Sequence, residues 1–198
     1  MNPRDRLLRK ACELFYKEGI QAVGIQRLID EAGIAKASLY AHFPSKDDLV
    51  AAYLQDRATA WQDLVRREVL DTALDARDKL LKIFDLQVEL IERPGYRGCP
   101  FQNAGGELAD PSHPARTVVA AHREWLKRTI SKLVADAGAT RPSAIAGAIL
   151  VLLDGALARS MVECDPSAAR HARWAVEQLL ASVSAPATGP RRSRRAIT

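Results

Sequence analysis

Apolar residues recur at every third or fourth position in almost every periodic stretch of this chain, and that spacing restricts what the chain can fold into. A helix of 3.6 residues per turn places such residues on one face. No stretch shows the run of alternating β-branched residues that a half-buried strand requires. The sequence therefore predicts an all-α protein of nine helices followed by a tail.

Breaking and capping residues set where the predicted helices begin and end. Gly19 is expected to end the first helix in a left-handed cap, and Pro44 to end the third. Ser45, three residues before Asp48, predicts a capping box for a fourth helix that reaches about Val69. The second and third helices are expected at about 25–32 and 36–42, and the later ones at about 72–92, within 101–114, and at about 115–136, 143–163 and 166–184.

The formal net charge of the 198-residue chain is +5, but its distribution matters more than its sum. Four units come from arginines after residue 186, so residues 1–185 carry only +1. Nucleic-acid binding must therefore rest on individually placed residues. Residues 185–198 lack apolar periodicity and are expected to form a disordered basic tail, either a solubilising segment or an auxiliary phosphate contact.

Composition and motifs exclude several classes of protein. With 47% hydrophobic and 27% charged residues, the chain has the composition of a globular domain. Its three cysteines, without a CxxC pair or zinc spacing, indicate a reduced cytoplasmic setting and no metal. The most apolar stretch, Ala144 to Ala158, is too short for a bilayer span and contains Asp154, so we expect a buried helix and no membrane partner.

Sequence motifs for catalysis are missing. We find no nucleophile elbow, phosphate-binding loop, dinucleotide fingerprint or HExxH. The carboxylates are scattered over charged helical faces, which is their usual solvated position. We therefore expect neither an enzyme nor a cofactor.

The three short helices at the front of the chain match a helix-turn-helix, whose last helix enters the DNA major groove. Three-helix cores that bind no nucleic acid share this geometry, so the exposed residues must show whether the helices bind DNA. In the third helix Leu39 and Phe43 point inward at i and i+4. The side chains left outside carry donors or small methyl groups suited to base edges and phosphates: Lys36, Ala37, Ser38, Tyr40 and His42.

The segment LIDEAGIAKASLYAHFPSKDDL, from Leu28 to Leu49, strongly resembles the helix-turn-helix of the TetR family of transcriptional regulators. In this form the resemblance covers roughly residues 1–55. Where the family often has serine or threonine, this chain has Gly24 and Ala35, so the side-chain caps of the second and third helices are expected to be lost. The resemblance implies base-edge contacts from Gln26, Lys36, Ala37 and Ser38, and phosphate contacts from Tyr40, His42 and Lys46.

The resemblance also implies how the chain is divided. It implies a helix-turn-helix domain at 1–48, a helical domain for effector binding and dimerisation at 49–184, and the tail at 185–198. Small residues such as Gly147 and Gly155 permit close helix approach in a homodimer. The alternative is that the eighth helix is the central core of a monomer. The residues expected at the dimer interface are Ile149, Leu153, Leu157, Trp174, Val176 and Leu180.

The stretch from Tyr96 to Arg116 is similar to a block found in one subset of TetR regulators and predicts a small-molecule pocket. The alternatives are that Gln102 and Asn103 cap a broken helix, and that His122 is a core histidine with satisfied hydrogen bonds or a surface histidine. Cys99 is a candidate redox thiol if Arg97 is close. The residues expected to line the pocket are Trp61, Phe84, Cys99, Phe101, Gln102, Asn103, His122 and Trp125.

The resulting hypothesis is a cytoplasmic, homodimeric repressor that binds a palindromic operator in double-stranded DNA and is released by an unknown small-molecule effector. Two alternatives remain: an effector-independent activator or architectural factor, and an all-α enzyme or interaction module. A cavity near the predicted pocket residues favours the effector-responsive protein, and a filled core there favours the effector-independent one.

Overall fold

Nine α-helices and one π-helical turn form the regular structure of residues 2–184, the part of the chain that the computed structural model describes. That part contains no β-strand, and the all-α prediction is confirmed. The basic tail predicted at 185–198 lies outside the described residues. The helices are α1 (Pro3–Glu18), α2 (Ile25–Ala32), α3 (Lys36–His42), α4 (Lys46–Val65) followed by the π-helical turn (Arg66–Leu70), α5 (Ala76–Ile91), α6 (Pro100–Glu107), α7 (Pro114–Asp136), α8 (Pro142–Glu163) and α9 (Ser167–Ser184).

Local capping explains where these helices agree with the sequence and where they differ. The Ser45 hydroxyl caps α4 as predicted, because it accepts a hydrogen bond from the Asp48 N–H at 3.1 Å. Helix α5 begins at Ala76 and not near residue 72, because the Asp75 carboxylate caps it by accepting from the Asp78 N–H at 2.8 Å. Gly19 ends α1 at a positive φ of 99°, but its ψ of 153° is extended and not left-handed helical as predicted.

The first core packs α1, α2 and α3 against the N-terminal half of α4. Leu7, Leu28, Leu39 and Leu49 are fully buried there. Phe101 and its neighbours on α6 and α7 belong to the same cluster of buried residues. The three front helices therefore complete their core with residues from far beyond position 48.

The second core joins the end of α4 to α5, α7, α8 and α9. Helix α8 is 22 residues long and contains an 18-residue window with a mean hydropathy of 1.8, so by length and composition alone it could cross a membrane. The apolar stretch from Ala144 to Ala158, expected to be too short for a bilayer span, is the central part of this longer helix. Its polar Asp154 is paired with Arg123 of α7, and its buried face packs against α7 and α9.

The burial of α8 and α9 corrects the predicted dimer interface. Five of the six predicted interface residues are buried within the second core of the protomer itself, so their side chains are not available to a partner: Ile149, Leu153, Leu157, Val176 and Leu180. Trp174 is the exception, with 63% of its surface exposed. The apolar pattern identified buried positions correctly but assigned their burial to a second chain.

Helices α2 and α3 lack side-chain caps, as the sequence predicts. Gly24 and Ala35 occupy the N-cap positions in extended conformation, and neither makes a side-chain cap hydrogen bond. Extended backbone is the conformation from which a serine hydroxyl accepts a bond from the first turn.

We expect Ala35→Ser to stabilise the protein by about 1 kcal/mol, because the new hydroxyl caps α3. At this chain length, that gain corresponds to a rise of about 2–4 °C in melting temperature, measurable by calorimetry. The matched control is Ala41→Ser, an exposed position in the last turn of α3 where a hydroxyl has no capping role. Equal effects of the two substitutions would contradict the capping explanation.

Candidate nucleic-acid interface and ligand cavity

The solvent-facing side of α3 carries the predicted reading residues. Leu39 and Phe43 are buried, as predicted, and anchor the helix from its opposite side. The α3 residues predicted to contact DNA are exposed, except that Ser38 is half-buried: Lys36, Ala37, Ser38, Tyr40 and His42. The fold therefore brings these side chains together on one short helix, and their contacts with DNA stay predictions.

The two other predicted DNA residues flank α3 in different environments. Gln26 is exposed on α2, where its amide donates to the Asp30 carboxylate at 2.9 Å. Lys46 is half-buried, with its Nζ 5.9 Å from the centre of the Phe15 ring. Burial lowers the pKa of the Lys46 ammonium, opposed by the carboxylates of Asp47 and Glu107. Lys46 is thus held against α1, a position that suits a contact fixing the register on the DNA backbone.

A cavity of about 1080 Å³ lies between the two cores, which places it at the upper end of the usual range for small-molecule sites. Side chains from α1, α4, α5, α6, α7 and α8 line it, together with the loop between α5 and α6. Its apolar walls are formed by Trp61, Leu64, Leu90, Phe101, Val119, Leu126, Leu153 and Leu157. The last two leucines were predicted at the dimer interface and face this cavity instead.

Five of the eight predicted pocket residues line the cavity: Trp61, Cys99, Phe101, Gln102 and His122. The prediction is wrong for the other three. Phe84 is fully buried within the second core, and Trp125 packs against that core behind His122. Asn103 points away to donate to the Arg97 carbonyl at 2.8 Å.

The polar groups of the cavity were largely missed from the sequence. They are Tyr16, Arg57, Asp63, Arg67, Gln87, Arg93, Tyr96, Arg123 and Asp154. All of them except Gln87 lie at positions where an ordinary solvent-facing role explains a polar residue. Gln87 alone gave a signal, because it falls on the apolar face of α5 between Phe84 and Ile91.

His122 is a buried polar side chain on the cavity wall, with only 6% of its surface exposed. Its ring stacks on Phe101 with centres 3.7 Å apart and planes 9° from parallel. Its Nδ1 is buried without a hydrogen-bond partner. Burial, assisted by the neighbouring Arg123, lowers the pKa of His122 to about 4, so the ring is neutral at physiological pH.

An ion pair joins α7, α8 and α6 at the edge of the cavity. Both terminal nitrogens of the Arg123 guanidinium donate to the Asp154 carboxylate, each at 2.7 Å. The Gln102 amide donates to the Asp154 backbone carbonyl at 3.2 Å and to its carboxylate at 3.3 Å. The alternative that Gln102 only caps a broken helix is therefore wrong, because its amide bridges to α8.

Cys99 occupies the N-cap of α6 on the cavity wall. Burial raises the pKa of its thiol, and the N–H groups of Gln102 and Phe101 only partly oppose that effect. The redox alternative required a nearby cation to stabilise a thiolate. The protonated thiol is the favoured form here, although the neighbouring Arg123 also opposes the effect of burial.

Hydrogen bonds connect the cavity wall to the first core at two points. The Tyr16 hydroxyl of α1 accepts from the Arg97 N–H at 2.9 Å and donates to the Gly98 carbonyl at 3.1 Å. The Glu107 carboxylate at the end of α6 accepts from the Gln21 N–H, between α1 and α2, at 2.9 Å. We call these two sets of contacts the junction.

An apolar groove between α8 and α9 remains uncovered in the protomer. Val151 and Trp174 lie along it, 72% and 63% exposed, and Val162 further along α8 is 77% exposed. Gly155 lies on the same face of α8 and offers no side chain to obstruct a close approach. Exposed apolar residues in such a contiguous arrangement mark an interaction surface.

Family comparisons match both halves of the chain. Residues 7–53 match the model described as bacterial regulatory proteins, tetR family. Residues 76–176 match the model described as tetracyclin repressor-like, C-terminal domain. The chain belongs to the TetR family of transcriptional regulators. These proteins bind DNA and are not enzymes, so the expected class is confirmed.

Individual relatives of this TetR-family chain agree. The solved structure of SCO4454, a TetR-family regulator from Streptomyces coelicolor, is 36% identical with a TM-score of 0.86, covering 92% of this chain and 96% of that one. The repressor KstR2 of Mycolicibacterium smegmatis is 34% identical over 107 residues, 54% of this chain and 52% of KstR2. The activator FasR of the same organism is 36% identical over 96 residues, 48% of this chain and 43% of FasR. The chain thus matches about half the length of these two curated relatives.

The lowered pKa of His122 predicts a pH dependence of stability. Because the native pKa of His122 is about 4 and the ordinary histidine pKa is 6.5, the unfolded chain binds the proton first as pH falls. The histidine's contribution is present above pH 6.5 and declines as pH falls towards 4. Relative to His122→Phe, the wild type should lose about 1.5 kcal/mol of unfolding free energy between about pH 6.5 and 5, measured by urea denaturation.

The control for this titration is His42→Gln, an exposed position in the last turn of α3, outside both the cavity and the groove. It should keep the wild-type dependence on pH. If the His122→Phe curve ran parallel to the wild-type curve, His122 would not be the buried neutral group described above.

Proposed function

We propose that this protein is a cytoplasmic, homodimeric repressor that binds a palindromic operator through α3 and is released by a small-molecule effector. The observation that carries the proposal is the exposed, donor-bearing face of α3 opposite a buried Leu39 and Phe43. KstR2, which is named a repressor, supports the sign of regulation.

Two roles divide the proposed DNA contacts. The exposed Lys36 at the start of α3 can reach the O6 and N7 acceptors of guanine. The half-buried Lys46, held against Phe15, can reach only the nearby backbone. Lys36 is therefore proposed to read sequence and Lys46 to fix position.

We expect the two lysines to differ when each is replaced by alanine. Lys46→Ala should weaken binding to all duplexes by a similar factor and lower the slope of log affinity against log salt by about 1. Lys36→Ala should relax preference at one base position, at a cost of about 1–3 kcal/mol. Binding-site selection from random duplexes, followed by salt titrations on the selected site, measures both effects.

Failure to select any inverted repeat would defeat the DNA-binding proposal. Identical behaviour of the two variants would defeat the division of roles. Lys127→Ala serves as the control, because this exposed lysine lies on α7, away from α3, and should change neither quantity.

A second copy of the chain is the proposed partner of the apolar groove between α8 and α9. A two-fold dimer presents two α3 helices and thereby reads an inverted repeat. The exposed Val151, Gly155, Val162 and Trp174 replace the buried residues that the sequence pattern suggested. Exposed small residues on α8 let the two copies approach closely.

We expect Val151→Glu to raise the dimer dissociation constant at least about 30-fold, since it buries two like charges near a two-fold axis. Sedimentation equilibrium measures the change. Leu74→Glu is the matched control, because Leu74 is also an exposed apolar residue but lies between α4 and α5, outside the groove. An unchanged dimer in Val151→Glu, or a wild-type monomer, would contradict this interface.

The cavity supports an effector-responsive protein over an effector-independent one. Space of about 1080 Å³ lies where a filled core would have favoured the alternative. An effector that prefers a dimer with altered spacing of the α3 helices would lower operator affinity by a coupling of about 1–3 kcal/mol. FasR is named an activator, so the alternative remains that the same coupling increases transcription.

A further inference from the structure

The charge inside the cavity is unbalanced in favour of cations. Four arginines but only two aspartates are among its lining residues. Asp154 is neutralised by Arg123 through two bonds of 2.7 Å, and the exposed Asp63 is paired with Arg66, outside the cavity, at 2.8 Å. Arg67 is in turn paired with Glu68, outside the cavity, at 2.8 Å. Arg57 and Arg93 are the lining arginines that belong to no ion pair of the described residues.

Arg57 is the cation placed deepest among those that remain. One of its terminal nitrogens donates to the Cys12 carbonyl at 3.0 Å, and its Nε is buried without a partner. The guanidinium carbon lies 5.3 Å from the centre of the Tyr16 ring. Arg57 belongs to no ion pair of the described residues, so none of their carboxylate oxygens lies within 4.0 Å of its guanidinium nitrogens.

Buried polar groups lie on the other walls of the same space. His122 and Gln87 line the cavity while only 6% and 8% exposed, and neither side chain makes a hydrogen bond within the described residues. Leaving such groups unsatisfied costs free energy, so a molecule that hydrogen-bonds to them gains affinity. The cavity between them is apolar, with Trp61, Leu126 and Leu153 on its walls.

We propose that the ligand of this cavity is an amphipathic organic anion, a carboxylate with an aryl or alkyl body. Its charged group lies against Arg57, its body contacts Trp61 and Leu153, and a polar substituent hydrogen-bonds to His122. The inference rests on the proposed effector role of the cavity and adds the chemical class of the effector. A neutral molecule leaves Arg57 without an ionic partner, and a cation is repelled by it.

Two probes of nearly the same shape test the charge. Biphenyl-4-carboxylate and biphenyl-4-carboxamide differ in charge but hardly in size, and calorimetric titration of the full-length protein gives the affinity for each. The wild type should bind the carboxylate about tenfold or more tightly than the amide. Arg57→Gln should remove this preference by weakening carboxylate binding, while amide affinity stays within about threefold.

Two variants control for charge and folding. Arg57→Lys keeps the cation and should retain most of the preference for the carboxylate. Arg128→Gln makes the same charge change on α7 outside the cavity and should behave like the wild type. If Arg57→Gln shows no cooperative unfolding transition, the wild-type preference and its retention in Arg57→Lys carry the test.

Equal affinity for the two probes, no binding of either to the wild type, or a preference that survives in a folded Arg57→Gln would overturn the inference. This outcome is distinct from failure of the proposed function, because the titrations contain no DNA and operator selection contains no probe. If an operator is selected but the carboxylate is not preferred, the proposed repressor function stands and the proposed anionic ligand is refuted. If the carboxylate is preferred but no operator is selected, the proposed anionic ligand is supported and the proposed repressor function is refuted.

Discussion

The hydrogen bonds of the junction are the interaction on which the rest of the account depends. Through Tyr16, helix α1 is fixed to the loop that closes one side of the cavity. Through Glu107, the end of α6 is fixed to the backbone between α1 and α2. Phe101 of α6 stacks on His122 of the cavity wall and also belongs to the first core. The cavity wall and the core of the DNA-binding helices thus share residues and hydrogen bonds.

The loop at the junction is itself tightly constrained. Gly98 has a φ of +87°, and a Cβ there would lie 2.5 Å from the sulfur of Met161 on α8. The Tyr96 hydroxyl donates to the Leu157 carbonyl of α8 at 3.4 Å. The same short loop therefore contacts α8, which carries the proposed dimer surface, and α1, which supports α3. These few residues therefore contact the cavity, α1 and α8.

The sequence predicted the local features of the DNA-binding helices because local spacing determines them. Burial of Leu39 at the centre of α3 follows from helical periodicity, and the missing cap at Ala35 follows from the residue type alone. The dimer residues were predicted wrongly for a different reason. Helix α8 is apolar on all sides, so periodicity could not separate the core residue Ile149 from the exposed Val151.

The cavity was predictable only in part. Cys99, Phe101 and Gln102 lie within four consecutive residues, so predicting that one segment lines the pocket placed all three on its wall. Arg57 comes from a helix 42 residues earlier, where an arginine has an ordinary solvated explanation. Tertiary packing determines which distant polar side chains come together at the cavity. Residue spacing and composition do not predict it.

Coupling between cavity and operator is the central claim, and one titration tests it directly. Operator affinity should be measured at increasing concentrations of biphenyl-4-carboxylate for the wild type and for Glu107→Ala, which removes the Glu107 contact of the junction, outside the cavity. A saturating probe should weaken operator binding by the wild type about 5- to 150-fold, and clearly less in Glu107→Ala at equal probe affinity. Operator affinity in the wild type that does not change when the cavity is saturated would contradict the account.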